Sequence, residues 1–241
     1  MPVYNEAAVI EQLVLELERD LLERLEAETE VIVVDDCSTD LTGQILERLA
    51  RDRPWLTIDR APVNAGHGPS VLRGLRRAEG DWIFQLDSDR QFLVDDFHSL
   101  WRRRDDADLV LGMRVNRRDA GHRIVLSRVI ALTVSLLARR GLRDANTPFR
   151  VVRRELWEDL EPLIGECALA PSIMVSLGAA RRGWRIRELP VTHLARAHGP
   201  SSLRSLRLLS FSLAGLRELL AFHRRLEREQ TRAPAIARGL T

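Results

Sequence analysis

The chain has 241 residues, enough for one large domain with a short appendage, and its 45% apolar content supplies a sizeable core and excludes whole-chain disorder. Its net charge of +2 hides a division, about −11 over residues 1–96 against about +9 over 181–241, and every one of the 37 Lys+Arg residues is arginine, which excludes Schiff-base lysine chemistry and a P-loop lysine. Two distant cysteines, Cys37 and Cys167, exclude a disulfide framework or structural zinc site and fit a reducing, cytoplasmic compartment; no leader-like start or apolar run of the roughly 20 residues needed to span a bilayer is present.

Helical and strand-like segments alternate through the first half, the pattern of a parallel sheet covered by helices. Residues 6–27 place Val9, Ile10, Leu13, Leu17, Leu21, Leu22 and Leu25 at helical spacing, and 31–34 form a short buried strand ending in Asp35-Asp36. Residues 41–50 are again amphipathic, 55–58 read as a strand, and Asn64-Ala65-Gly66-His67-Gly68-Pro69 is a turn opening a helix over 70–78. The strand that follows, Trp82-Ile83-Phe84-Gln85-Leu86, delivers Asp87-Ser88-Asp89-Arg90-Gln91 to its end.

Further on, the pattern predicts a helix over 94–104, a strand over 107–112, a polar loop over 115–123 and a strongly apolar segment over 124–138. A turn over 144–150 leads to Val151-Val152 and a helix from Arg154; 171–182 is a helix, 185–193 a strand pair or a bend around Pro190, and 199–202 a turn. Leu203, Leu206, Leu209, Leu213, Leu216 and Leu220 then recur at spacings of three and four, a stripe that suits either core packing or an amphipathic helix on a membrane surface. The expected division is a main domain over 1–202, an amphipathic helix over 203–228 and a disordered tail over 229–241.

Four polar clusters fall at strand-to-helix crossings: Pro2-Val3-Tyr4-Asn5-Glu6, Asp35-Asp36-Cys37-Ser38, Asn64-Ala65-Gly66-His67-Gly68 and Asp87-Ser88-Asp89. In an open α/β sheet such crossings share one rim, where ligands bind. Alone, Asp87-Ser88-Asp89 reads equally as a solvated turn or a cation seat, and Asp35-Asp36-Cys37-Ser38 as a helix cap. A hard divalent ion that bridges a diphosphate usually takes one or two carboxylates from protein, which is what the Asp87 and Asp89 pair offers.

With these motifs in place, the chain resembles the family 2 glycosyltransferases of the GT-A fold, most closely the dolichyl- and polyprenyl-phosphate sugar transferases. The resemblance covers residues 1 to about 205 and rests on the four clusters together with Gly112-Met113-Arg114, Asp144, Pro148-Phe149-Arg150, Glu188-Leu189-Pro190-Val191, Arg196 and Gly199. It implies an α/β fold with a mostly parallel central sheet flanked by helices, here with the first strand largely missing at the N-terminus. It further implies that Pro2, Tyr4, Glu6, Val34 and Asp36 line the nucleotide pocket, with Asp36 accepting from the base. Asp87 and Asp89 match the pair that holds Mg²⁺ or Mn²⁺ against the diphosphate, and Gln91 falls where polyprenyl-phosphate relatives supply a third ligand. Arg114, Ser127, Arg128, Arg150 and Arg196 are candidates for phosphate contacts on donor or acceptor, although Arg128 in an apolar helix also suits snorkelling.

The expected reaction moves a sugar, with inversion, from a UDP- or GDP-sugar to an acceptor, expected to be a polyprenyl phosphate at the inner face of a membrane on which the protein sits peripherally. A phosphate acceptor is nucleophilic at neutral pH and needs positioning more than deprotonation. A sugar hydroxyl would instead need a base, for which Asp144 is the candidate, or else Asp144 caps the following turn. A non-catalytic nucleotide-sugar-binding module remains an alternative. A sugar nucleotidyltransferase would carry a glycine-rich N-terminal loop with a lysine, and nucleic-acid binding would bring interleaved aromatics; neither is present.

Overall fold

The computed structural model describes residues 1–115, 121–194 and 205–232, with helix segments 121–128, 205–212 and 230–232 described by backbone alone. Seven strands are present among them: β1 (Pro2–Val3), β2 (Val31–Asp35), β3 (Leu56–Arg60), β4 (Trp82–Gln85), β5 (Leu109–Val115), β6 (Arg150–Arg153) and β7 (Ile186–Thr192). The helices are α1 (Ile10–Glu16), α2 (Thr42–Ala50), α3 (His67–Arg77), α4 (Phe97–Trp101), α5 (Gly121–Ala138), α6 (Arg154–Leu160), α7 (Pro171–Arg182) and α8 (Ser205–Arg232).

The strands form two hydrogen-bonded sheets, one ordered β1-β2-β3 and the other β4-β6-β5-β7. The first is wholly parallel, with Val34 opposite Pro2 on one side and Asp59 on the other. In the second, β6 runs antiparallel to both β4 and β5, while β7 is parallel to β5. The expected first strand is thus reduced to two residues, and the sheet is interrupted between β1 and β4.

Local chemistry explains most boundaries. β2 reads Val-Ile-Val-Val-Asp, a β-branched run suited to a strand buried on both faces. Helix α7 starts on Pro171 and stops at Gly183, whose φ of 82° is readily adopted only by glycine, so its bounds match the pattern of its residues.

The long helix expected over 6–27 is instead α1, a π turn (Leu17–Leu21) and a 3₁₀ turn (Leu22–Arg24). Leu13, Leu17 and Leu21 are all buried and recur every four residues, a longer period than 3.6, and the wider π turn keeps them on one face. Similarly, 94–104 divides into a 3₁₀ turn (Val94–Asp96) and α4.

Pro190 neither breaks nor bends its strand: β7 runs straight through it, opposite Met113 of β5. β7 is the outer strand of its sheet, a position where proline's missing N–H interrupts no second ladder. At the other end of the chain, α8 continues to Arg232, so residues 229–232 belong to the helix, and the rest of the expected tail lies outside the described residues. Within α8 the buried face is Leu219, Phe222 and Leu226, whereas Leu213 and Leu216 of the expected leucine stripe are exposed.

The core lies on both faces of the sheets. One cluster joins Leu75, Leu109, Leu156, Leu160, Leu177 and Phe222, tying α3, α6, α7 and α8 to β5. On the opposite face Phe84 packs 4.8 Å from Phe97 and 4.9 Å from Phe149, ring centre to ring centre, fixing the base of the segment after β4. Asp59 at the end of β3 accepts two hydrogen bonds from Arg73, at 2.7 and 2.5 Å, and so clamps α3 to the first sheet.

Candidate active site

The loops after β1, β2, β3 and β4 meet on one rim. Asn5 and Cys37, each two residues beyond β1 and β2, and Arg90 in the loop after β4, have φ of 54°, 60° and 54°, the left-handed region that non-glycine residues rarely adopt. Such strain persists where surrounding bonds over-determine it. Here Asn5 N–H donates to Ser38 Oγ (3.0 Å), Thr39 N–H to Asn5 Oδ1 (2.8 Å) and Glu6 N–H to Thr42 Oγ1 (2.9 Å), lacing the first loop to the second. Arg90 reaches back to Gln12 Oε1 (2.8 Å) and pairs with Glu16, tying the fourth loop to α1.

Of the residues expected in the nucleotide pocket, Tyr4 is 46% exposed on this rim, whereas Pro2 and Val34 are buried strand residues. Val34 faces α3, where a Cβ on Gly74 would lie 3.4 Å from its methyl group. Glu6 joins the rim through its backbone, its carbonyl accepting from Val9 and Ile10. Asp36 is buried, and its carboxylate accepts the N–H groups of Ala65 and Gly66, both at 2.8 Å. Those bonds direct it toward shaping the β3-to-α3 loop. Its neighbour Asp35 leaves Oδ2 buried without a hydrogen-bond donor, 3.5 Å from Arg60 Nε.

Asp87 follows β4 and lies beside the start of α3, with His67 Nε2 3.7 Å from its Oδ1. That Oδ1 is buried and has no hydrogen-bond donor, an orphaned acceptor of the kind a cation satisfies. Among the described residues no group of three or more His, Cys, Asp or Glu side chains gathers as a complete protein cage. The residues present fit a divalent ion that takes Asp87 and Asp89 from the protein and the remainder of its shell from a diphosphate and water. Asp89 Oδ1 accepts Gln91 N–H (3.2 Å), and Gln91 Nε2 donates to the Leu194 carbonyl (3.4 Å), so the Gln91 amide is engaged with the strand end of β7.

Arg114 and Asp144 form a close pair at the end of β5. Arg114 donates Nε to Asp144 Oδ2 at 2.7 Å and Nη2 to Oδ1 at 2.8 Å, and its backbone N–H adds a third bond at 3.2 Å. Glu188 Oε1 accepts the N–H groups of Arg143 and Asp144 at 2.8 and 3.0 Å. Asp144 is therefore gripped on its side chain and its backbone, and its oxygens are turned to Arg114 rather than presented as a waiting base.

Arg150 is placed differently from the expectation. It is 1% exposed, with Nε on the Thr147 carbonyl (2.8 Å), Nη1 on the Ser172 carbonyl (2.7 Å) and Ser176 Oγ (3.1 Å), and Nη2 on the Ala145 carbonyl (3.0 Å). The guanidinium is directed into the protein, not to a phosphate. Burial pushes it down to about 9, opposed by the nearby charges of Asp144 and Asp87, so it stays a cation at neutral pH. The side chains of Ser127 and Arg128, and all of Arg196, lie outside the described residues.

His67 and Glu188 have no role assigned from residue type alone. A histidine opening the helix after β3 is the signal for the first; a glutamate two residues before Pro190, within the Glu188-Leu189-Pro190-Val191 motif, is the signal for the second.

A split α/β sheet with acidic loops on one rim defines a GT-A type fold, and solved structures agree. The chain has a TM-score of 0.68 with glucosyl-3-phosphoglycerate synthase from Mycobacterium tuberculosis in complex with Mn²⁺, UDP and phosphoglyceric acid, at 20% identity, covering 92% of this chain and 76% of that one. With S. aureus TarS 1–349 in complex with UDP the TM-score is 0.58 at 24% identity, covering 80% and 59%. Residues 1–161 match the Glycosyl transferase family 2 profile, and the chain belongs to that family. Among curated relatives, an undecaprenyl-phosphate 4-deoxy-4-formamido-L-arabinose transferase of Pseudomonas aeruginosa is 30% identical over 212 residues, covering 87% of this chain and 61% of the relative. A dolichyl-phosphate beta-glucosyltransferase of Trichomonas vaginalis is 28% identical over 207 residues, covering 79% and 63%. The chain thus spans about three fifths of the length of these relatives.

Proposed function

We propose that this chain transfers a sugar, with inversion, from a UDP- or GDP-sugar to a polyprenyl phosphate at a membrane face. The observation that carries the reading is the orphaned Asp87 Oδ1 on the rim shared with Asp89, His67 and the β2 loop. Asp87 and Asp89 would hold Mg²⁺ or Mn²⁺, which neutralises the charge that develops on a departing nucleoside diphosphate. The engaged state of Asp144 favours an acceptor that is already an oxyanion, because the Arg114 pair positions a loop rather than presenting a base.

Lipid proximity is supported by α5, where Val129, Leu132 and Leu136 are 56%, 62% and 69% exposed at spacings of three and four, and by exposed Leu213 and Leu216 on α8. No helix among the described residues is long and apolar enough to cross a membrane, so these faces would lie on a bilayer, not through it. The test is turnover of nucleotide sugars on polyprenyl phosphate, with and without Mg²⁺ or Mn²⁺. Asp87→Ala should abolish metal-dependent transfer while the fold persists; retained turnover in that variant sinks the reading.

A further inference from the structure

His67 stands beside the orphaned oxygen of Asp87 without satisfying it. Its Nε2 is 3.7 Å from Asp87 Oδ1, beyond the reach of a hydrogen bond, and that oxygen is buried with no hydrogen-bond partner. A carboxylate oxygen and a ring nitrogen that face each other across such a gap suit an ion between them. Two donor atoms, each about 2.1 Å from one ion, stand about 3.0–3.4 Å apart, so a shift of a few tenths of an ångström closes this pair on a metal. The His67 side chain is 56% exposed and can make that shift without disturbing the core.

The backbone that carries the imidazole is fixed on both sides. Gly66 before it has φ of 95° and gives its N–H to the buried Asp36 carboxylate (2.8 Å), while its carbonyl receives Ser70 N–H (3.2 Å) and Ser70 Oγ (2.9 Å). Gly68 after it lies against the segment before α7, where a Cβ would collide with the Ala168 carbonyl oxygen. A side chain on so clamped a helix start is already placed for its task. Imidazole also differs in kind from the two carboxylates: it is a favoured ligand of first-row transition ions, whereas Mg²⁺ keeps to oxygen.

We propose that His67 Nε2 is a ligand, together with Asp87 and Asp89, of the divalent ion held on this rim, and that it turns the site toward first-row transition ions such as Co²⁺ and away from Mg²⁺. The proposal rests on the metal reading of Asp87 and Asp89 above. The start of α3 is the positive end of a helix and disfavours a bare cation, so the ion is held together with its diphosphate. A hydrogen bond from His67 to Asp87 would compete with the ion for the same oxygen, whereas a nitrogen ligand adds to the donor set.

The experiment compares the parent with His67→Ala, His67→Gln and Asp87→Ala, each with UDP and with GDP, by electron spin-echo spectroscopy of bound Mn²⁺ and by calorimetric titration with Co²⁺ and Mg²⁺. Mn²⁺ on the parent should show the nitrogen modulation of a bound imidazole, and both His67 variants should lack it. Removing the nitrogen in His67→Ala should weaken Co²⁺ binding by at least about tenfold and Mg²⁺ binding by no more than about twofold. Retained nitrogen modulation, or an equal loss for the two ions, overturns the ligand; the equal loss would make His67 a residue that positions Asp87. Weaker nucleotide binding by His67→Ala with no metal present also overturns it, since the imidazole then serves a phosphate. Absence of ion binding by the parent with either nucleotide, or binding undiminished in Asp87→Ala, brings down the metal site itself. Loss in Asp87→Ala with His67→Ala unchanged removes His67 alone.

Discussion

Replacing Arg150 with methionine tests whether this arginine is a structural strut or a ligand for phosphate. Its guanidinium supplies the hydrogen-bond donors that the Thr147 carbonyl receives from side chains, and it shares the Ala145 and Ser172 carbonyls with the Ser176 hydroxyl. The Ser172 carbonyl keeps its α7 helical bond and the Ser176 hydroxyl can serve the Ala145 carbonyl, so the substitution orphans one buried acceptor, the Thr147 carbonyl, at about 1–3 kcal/mol. Relief of the buried cation offsets part of this, leaving a net loss of about 1.5 kcal/mol. Urea unfolding at neutral pH should report it as a midpoint lowered by about 0.6 M at an unchanged slope. A midpoint within about 0.3 M of the parent, combined with weakened saturation by polyprenyl phosphate, would refute the strut and return Arg150 to the phosphate.

Gly68→Ala should be costly, because a Cβ there would collide with the backbone carbonyl of Ala168, which has no side chain to swing aside; a loss of at least about 2 kcal/mol is expected in thermal unfolding. Arg114→Ala strips the partner from a nearly buried Asp144, and the double variant with Asp144→Ala should recover part of the loss, a coupling of about 2 kcal/mol in a double-mutant cycle; strict additivity would show that the pair is not a unit. In acid, Asp59 held by Arg73 and Asp108 held by Arg185 both have carboxyls below the ordinary carboxylate range, chiefly through those hydrogen bonds. Their folded-state values are depressed, so their contribution is complete above the unfolded value of about 3.9 and is lost as pH falls through the lower folded values. Asp59→Asn should therefore flatten the fall in stability below pH 4, and an unchanged acid limb would count against the clamp.

The motif-bearing rim was legible because its signals are local: a β-branched run ending in Asp35-Asp36, and an apolar strand ending in Asp87-Ser88-Asp89, need only adjacent residues to be read. The direction of a long side chain is not local. Arg150 turns inward because α7 happens to offer the Ser172 carbonyl and the Ser176 hydroxyl, 22 and 26 residues away, and no spacing rule encodes that. Pro190 likewise suggests a break until the strand order shows β7 at an edge. For Leu213 and Leu216 the stripe predicts one face, but the choice of which helical face meets α7 belongs to the neighbours, and they selected Leu219, Phe222 and Leu226.

Pro190 also bears on how copies of this protein meet. An outer strand with free N–H and C=O groups invites another strand to add on, the usual start of sheet-to-sheet aggregation. A proline in the middle of β7, with Arg187 exposed along the same strand, denies an incoming strand a continuous donor row. Growth of the molecule by strand addition is thus discouraged at that outer margin, and concentrated solutions should stay free of fibres that propagate through β7.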